Sequence, residues 1–234
     1  MITNDDGIRS GGIIRLAEAA KAFGRVFVVA PAEQRSALSQ SITLRNHIDV
    51  YPVAFPVKDV QAFACSGTPA DCVRVGSLNV MPVRPDVVLS GINFGYNVAS
   101  DIQYSATAGA AFEAAFQGYR AIALSEDASE CHEVTDAYLR EVLGKWIDAD
   151  AEKGRIININ FPGCLLSDCR GVLEDRKVSE SMFYRDRYNV AEELPGGGMR
   201  LMVEGTYSGE AEEGTDFHAV INGYVSVGTV SNIK

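Results

Sequence analysis

The sequence has no run approaching the roughly 18 consecutive apolar residues of a membrane-spanning helix. No basic segment followed by an apolar stretch stands at its beginning, so no secretory signal is expected. No CxxC pair occurs among the five cysteines, Cys65, Cys72, Cys131, Cys164 and Cys169. An odd, scattered set of thiols argues against a disulfide framework and for a reducing, cytoplasmic setting. Cys131 beside His132 lacks a second motif that would make it a metal or nucleophile site, and reads as ordinary. Positive charge is scarce too: 21 Lys and Arg against 31 Asp and Glu give a net charge of −10. A field of that sign, with no local basic cluster, excludes nucleic-acid polymers and anionic membranes as partners. A small phosphorylated substrate remains compatible, provided a cation and backbone N–H groups concentrate positive potential at one point.

What is present suits one substantial globular domain: 234 residues, 47% of them hydrophobic. Strand-like and helix-like stretches alternate. Residues 12–23 place Ile13, Leu16, Ala17 and Ala20 on one helical face, with Gly24 as a natural stop. Residues 25–29 (RVFVV) read as a buried strand, and 42–53 and 60–64 as further strands beside the main sheet. Thr68, Pro69 and Asp71 have the spacing of a helix N-terminus with a capping box. Strands at 86–90, 121–125 and 156–160 enclose helices at 105–117 and 134–148, and a Gly/Asn-rich loop follows residue 90. Alternation of this kind predicts a doubly wound α/β sheet with right-handed crossovers, spanning residues 1–170. Periodicity fades after Pro162. Residues 171–234, broken by Pro-Gly-Gly-Gly at 195–198, read as a C-terminal β-rich arm with a short helix at 215–222. Only Met1, Ile2 and Thr3 precede Asn4, so either the first strand is short or the chain as given starts late.

Ligands in such a sheet bind outside the carboxyl ends of the strands, near the reversal of strand order. Three polar segments fall at such ends: Asn4-Asp5-Asp6-Gly7, Glu33 to Ser36, and Gly91-Ile92-Asn93. Two carboxylates, a hydroxyl and an amide form an all-oxygen set that suits Mg²⁺ or Mn²⁺ better than zinc. The plain alternative, equally weighted on the dipeptide alone, is that Asp5 and Asp6 cap the first helix. Residues 90–107 (SGINFGYNVASDIQYSAT) lead directly into a helix, and their free N–H groups form an anion site at its positive end. Ser105 and Thr107 can donate to phosphate there, or simply cap the helix. GxGxxG after a strand, GxxxxGK[ST] and DxDxT are all absent, which disfavours dinucleotide enzymes, P-loop kinases and aspartyl-phosphate phosphatases.

The segments TNDDG (3–7), AP with QRSA (30–31 and 34–37), TLR (43–45), SGTPADCV (66–73), SGIN-x-G-x-N (90–97), D-x-x-YSAT-x-GAA (101–111) and TDFHAV-x-x-GYVSV (215–227) resemble the stationary-phase survival protein family, SurE. The resemblance covers nearly the whole chain. It implies a Rossmann-like core, a metal-dependent 5′/3′-nucleotidase activity on nucleoside monophosphates, and a homodimer or homotetramer exchanging C-terminal arms. It further implies that Asp5, Asp6, Ser36 and Asn93 hold one divalent cation, with Asp5 and Asp6 catalytic. Phosphate then lies by Asn93, Ser105, Ala106 and Thr107. A cation there would polarise phosphorus and acidify a water, with Asp5 or Asp6 accepting its proton. Backbone N–H groups near Ala106 would stabilise the developing charge. Position 37 is Ala, as is 106, where the family usually has Gly; a Cβ at either limits positive φ and close ligand approach. Tyr96 and Phe94 either stack on a base or pack internally, Asn97 and Asp101 shape their loop, and His218 is structural or interfacial. The competing functions are a broader phosphatase or exopolyphosphatase, and a non-catalytic nucleotide sensor.

Overall fold

Strands and helices alternate along the computed structural model, which describes residues 1–149 and 154–232. In chain order the first half contains β1 (Ile2–Thr3), α1 (Gly11–Ala20), β2 (Phe27–Pro31), β3 (Val50–Val53), β4 (Gln61–Cys65), α2 (Pro69–Val75) and β5 (Val87–Phe94). Next come α3 (Ala106–Phe116), β6 (Arg120–Glu126), α4 (Glu133–Trp146) and β7 (Arg155–Phe161). The chain continues through β8 (Val172–Leu173), β9 (Tyr184–Leu194), β10 (Gly198–Tyr207), α5 (Asp216–Ile221) and β11 (Val225–Ser231).

Nine strands form the main sheet in the order β3-β4-β2-β1-β5-β6-β7-β11-β8. From β4 to β7 all neighbours run parallel. Strand order reverses beside β1, which lies between β2 and β5, so the carboxyl ends of β1 and β5 flank the switch point. The sheet needs cover on both faces. On one face α1 and α4 bury Ile13, Leu16, Leu139 and Leu143. On the other, α2 and α3 bury Cys72, Val73 and Phe112, and the alanines of α3 let it lie close to the strands. Each fully buried Leu in these layers contributes about 1.5–3 kcal/mol.

Several boundaries differ from the sequence reading. Residues 42–49 do not join a strand, because side chains take up that segment. Thr43 donates through its N–H and its hydroxyl to Asp71, at 3.0 and 2.7 Å, and Ser41 O accepts from the Thr68 hydroxyl at 2.7 Å. Asp71 also closes the capping box of α2, so one buried carboxylate fixes both segments. The second strand starts two residues later than read, at Phe27. β5 runs on through Gly91-Ile92-Asn93 instead of becoming loop, since Asn93 and Phe94 pair with Ser125 and Glu126 of β6. The first strand is short, and Leu89 N extends its ladder by donating to Met1 O at 2.9 Å.

Within residues 171–232, β8 and β11 return to the main sheet, β11 lying antiparallel to β7. Only β9 and β10 stand apart, as a separate antiparallel two-stranded sheet. The last two residues of the expected 171–234 arm lie outside the described residues. α5 is tied to the loop before α3 by Asp216, which accepts from Ala99 N, Ser179 N and Phe217 N.

Candidate metal and phosphate site

The segment after β1 is shaped by Asn4, not by its two acids. Asn4 Nδ2 donates to Gly7 O at 3.0 Å and to Ser10 Oγ at 2.8 Å. Ser10 opens α1, which has no acidic residue in its first turn, so neither Asp5 nor Asp6 caps that helix. Asp5 is buried, and its Oδ1 accepts from the Thr107 hydroxyl at 2.6 Å. Asp6 Oδ2 accepts from Phe94 N at 3.0 Å. The loop after β2 is drawn in by Arg35 N, which donates to Asp5 O at 2.7 Å.

That loop carries exposed Ser36, whose Oγ accepts from Gln34 Nε2 at 3.1 Å. Ser39 then stitches it to the segment before α3, donating to Tyr104 O and Gln103 O at 3.0 and 2.8 Å. Gly109 is needed for this approach: a Cβ there would stand 2.2 Å from Ser39 O. Ala37 nonetheless adopts a left-handed φ of 58°, a strained conformation for a residue bearing a Cβ. Ala106 is different. It is the first residue of α3, so it needs no left-handed backbone and its methyl costs no strain.

Asn93 Nδ2 donates to Gly95 O at 2.7 Å. Ser105 caps α3, its Oγ accepting from Ala108 N at 3.0 Å. Asp5, Ser36, Asn93 and Ser105 all line one cleft of about 670 Å³. Asp6 instead lines an adjoining pocket of about 360 Å³ with Arg15, Gln34, Glu126 and His132, and Phe94 borders both. Thr107 is fully buried and directs its hydroxyl to Asp5, so it orients that carboxylate.

Burial pushes the Asp5 carboxyl up to about 6; the Thr107 hydroxyl opposes this and the charge on Asp6 adds to it. Asp6 is also raised, first by burial and then by Glu126, with the Phe94 N–H working the other way. Among the described residues no Lys or Arg pairs with either acid. Adjacent carboxylates without a countercharge are unfavourable, and a hard divalent cation relieves them. Among the described residues no three His, Cys, Asp or Glu side chains gather around a metal-sized space. The donors available at the cleft are therefore mixed oxygens, two acids with a hydroxyl and an amide, and these fit Mg²⁺ or Mn²⁺.

Two supporting groups escaped the sequence reading: the buried partners of Asn97 in β6 and β7, and the Glu126 group. Asn97 is buried under the cleft, where its N–H donates to Asn160 Oδ1 and its Nδ2 to Ser125 Oγ, at 2.8 and 2.7 Å. Its carbonyl accepts from Asn158 and Asn160 at 2.8 and 3.1 Å, so Asn97 shapes the loop as expected. The signal was the I-N-I-N alternation of β7: two amides in an otherwise apolar strand must find partners. The second group is Glu126, 3% exposed, which pairs with Arg15 and has His132 Nδ1 at 3.2 Å from Oε2. Nothing in the isolated Cys131-His132 dipeptide pointed to it. Tyr96 packs internally, its ring edge-on to Phe183 and its hydroxyl accepting from Gly163 N at 2.9 Å. Phe94 stays half exposed, and His218 sits in α5 outside the cleft lining.

A cation held at Asp5 would have to compete with a proton there. The free protein ionises Asp5 above about pH 6 and protonates it below, so acid weakens the cation's hold. Calorimetric titration with Mn²⁺ is expected to show tighter binding at pH 7.5 than at pH 5, by about tenfold or more; equal affinity at both would remove Asp5 from the ligand set.

Comparison with known proteins gives one family. The model of the survival protein SurE matches residues 1–182. A protein of Pelobacter propionicus named 5′-nucleotidase SurE is 37% identical, over 97% of this chain and 90% of its own length. One of Mesorhizobium japonicum with the same name is 35% identical over the same shares. The crystal structure of the SurE protein from Aquifex aeolicus superposes with a TM-score of 0.81 at 33% identity, covering 98% of this chain and 92% of that one. With the sheet order, the acidic pair at its switch point and these likenesses agreeing over nearly its full length, the chain belongs to the SurE family.

Proposed function

We propose that the chain hydrolyses nucleoside 5′- and 3′-monophosphates to nucleoside and phosphate, using one Mg²⁺ or Mn²⁺ held by Asp5, Asp6, Ser36 and Asn93. The observation that carries this is the acidic pair, buried Asp5 beside half-buried Asp6, with no Lys or Arg paired to either among the described residues, next to a cleft that also contains Ser36, Asn93 and the start of α3. The relatives named 5′-nucleotidase supply the substrate class. When bound, the cation supplies Lewis acidity toward phosphate oxygen and water. The chain's own groups do the rest. Ser105 and the Ala106 N–H, at the positive end of an 11-residue helix, hold the phosphate oxygens. Thr107 keeps Asp5 in place and the Phe94 N–H keeps Asp6 in place, so neither acid must reorganise. The proton leaving the attacking water passes to Asp5 or Asp6.

The hairpin of β9 and β10 is the proposed oligomerisation arm. Tyr188, Val190, Leu201 and Val203 are each more than half exposed on it. A lone two-stranded ribbon is marginal in water, and these apolar side chains find cover against a second copy of the chain in a dimer or tetramer. A reducing cytoplasm is the proposed location, in keeping with five free cysteines.

Two experiments test these readings. Phosphate release from 5′-AMP and 3′-AMP is expected with Mn²⁺, to be abolished by EDTA, and to fall about a hundredfold or more in Asp6→Asn. Turnover surviving both treatments would contradict the site. Replacing residues 186–205 by a short Gly-Ser link is expected to lower the sedimentation mass from a multiple of 25.2 kDa to a single chain. A parent protein that already sediments as one chain would rule out the arm.

A further inference from the structure

Thiols that are scattered along the sequence are gathered by the fold. β6 and β7 are parallel neighbours with Glu126 opposite Phe161, so the chain leaves both strands at the same end of the sheet. Cys131 follows β6 there, and Cys164 follows β7. The Cys131 thiol donates to Cys164 O at 3.1 Å, across 33 residues of chain. Cys169 closes the single turn Leu166–Asp168, its N–H donating to Leu165 O at 3.2 Å. All three of these cysteines are half-buried, whereas Cys65 and Cys72 are buried. A small oxidant therefore reaches the three and is kept from the other two.

The loops that carry Cys131 and Cys164 are already in contact. Gly163 has no room for a Cβ against Asp127, and its N–H donates to the Tyr96 hydroxyl at 2.9 Å. Asp127, Ala128 and Tyr96 line the cleft that contains Asp5. Leu166 N donates to Glu133 Oε2 at 2.9 Å, which holds the turn after Cys164 to the first residue of α4. Bridging the two sulfurs thus asks for side-chain rotation between loops that need not be brought together.

We propose that Cys131 and Cys164 are a peroxide-sensitive thiol pair that closes into a disulfide on the rim of the cleft. Burial pushes the Cys164 thiol up, and Cys169, Asp168 and Cys131 add to it, so Cys131 is the attacking sulfur and Cys164 the resolving one. The Cys131 thiolate attacks one oxygen of hydrogen peroxide. An S–O bond forms, the O–O bond breaks, and the hydroxide that leaves takes up a proton as water. Cys164 then loses its proton and its sulfur attacks that of Cys131; the S–S bond forms, the S–O bond breaks, and a second water departs. Two thiols are oxidised and one peroxide is reduced. In a reducing compartment such a bridge is transient, and a thiol reductant reopens it. While closed, it ties the rim and slows local opening of residues 127–132.

The test uses the full-length chain and requires no turnover of a phosphate ester, so it stands or falls separately from the reading above. Reduced protein is treated with hydrogen peroxide, alkylated, and digested without reductant for mass spectrometry. A peptide joining Cys131 to Cys164 is expected, two hydrogens lighter than its parts, and dithiothreitol is expected to separate it. Cys131→Ser is expected to abolish the linked peptide and Cys169→Ser to retain it, with Cys65 and Cys72 left as free thiols throughout. Hydrogen exchange of the amides in 127–132 is expected to slow in the oxidised protein. Cys164 joined to Cys169 instead, or oxidation that stops at separate sulfur acids, overturns the pair. Oxidation of Cys65 and Cys72 at the same rate marks a reaction of unfolded chains and overturns it too. Unchanged or faster exchange in 127–132 overturns the tie on the rim.

Discussion

Two carboxylates, Asp5 and Asp6, lie side by side just past the strand at the switch point, and among the described residues no Lys or Arg pairs with either. The proposed site is built about that repulsion. Taking Asp5 out of water pushes its carboxyl up, and a single hydroxyl from Thr107 offsets only part of the cost. Such a pair is what the proposed cation would offset, and a merely structural loop would be better served by neutral side chains. Asn4 and Ser10 already do the structural work of entering α1.

The other loops come to the pair for traceable reasons. The backbone of Arg35 hydrogen-bonds to Asp5, and Ser39 to the residues before α3, which brings Ser36 to the cleft. Asn93 is carried there by a strand longer than its apolar run, because pairing to β6 continues through it. Asn97 pins the following loop to β6 and β7 through buried amides, so the cleft floor is rigid without using any catalytic group. Through Asp216 and the edge-on packing of Phe183 on Phe217, the C-terminal segments are coupled to the same loop. α5 and the loop before α3 are therefore packed together.

Much of this was legible in the residues. The alternation of apolar strands with amphipathic helices gave the layered α/β sheet, and the Thr68-Pro69-Asp71 spacing gave the capping box that opens α2. The three polar segments were readable because strand ends in this architecture are where ligands bind. What escaped was long-range. No local pattern in 42–49 says that its donors go to Asp71, and nothing near Ser90 says that β5 persists past a glycine. The division of Asp5 and Asp6 between two pockets, and the Arg15–Glu126–His132 group beside Asp6, depend on packing of segments more than a hundred residues apart. The return of β11 to the main sheet was hidden for the same reason: its partner, β7, lies some seventy residues earlier.

The central claim is that oxygen atoms from three separate segments enclose one divalent ion. Anomalous diffraction from crystals soaked in manganese tests it most directly. A single peak at coordination distance from the carboxylates of Asp5 and Asp6, with Asn93 and Ser36 facing it, is the result the account predicts. Manganese absent from that position, or the four side chains turned away from one another, would contradict it.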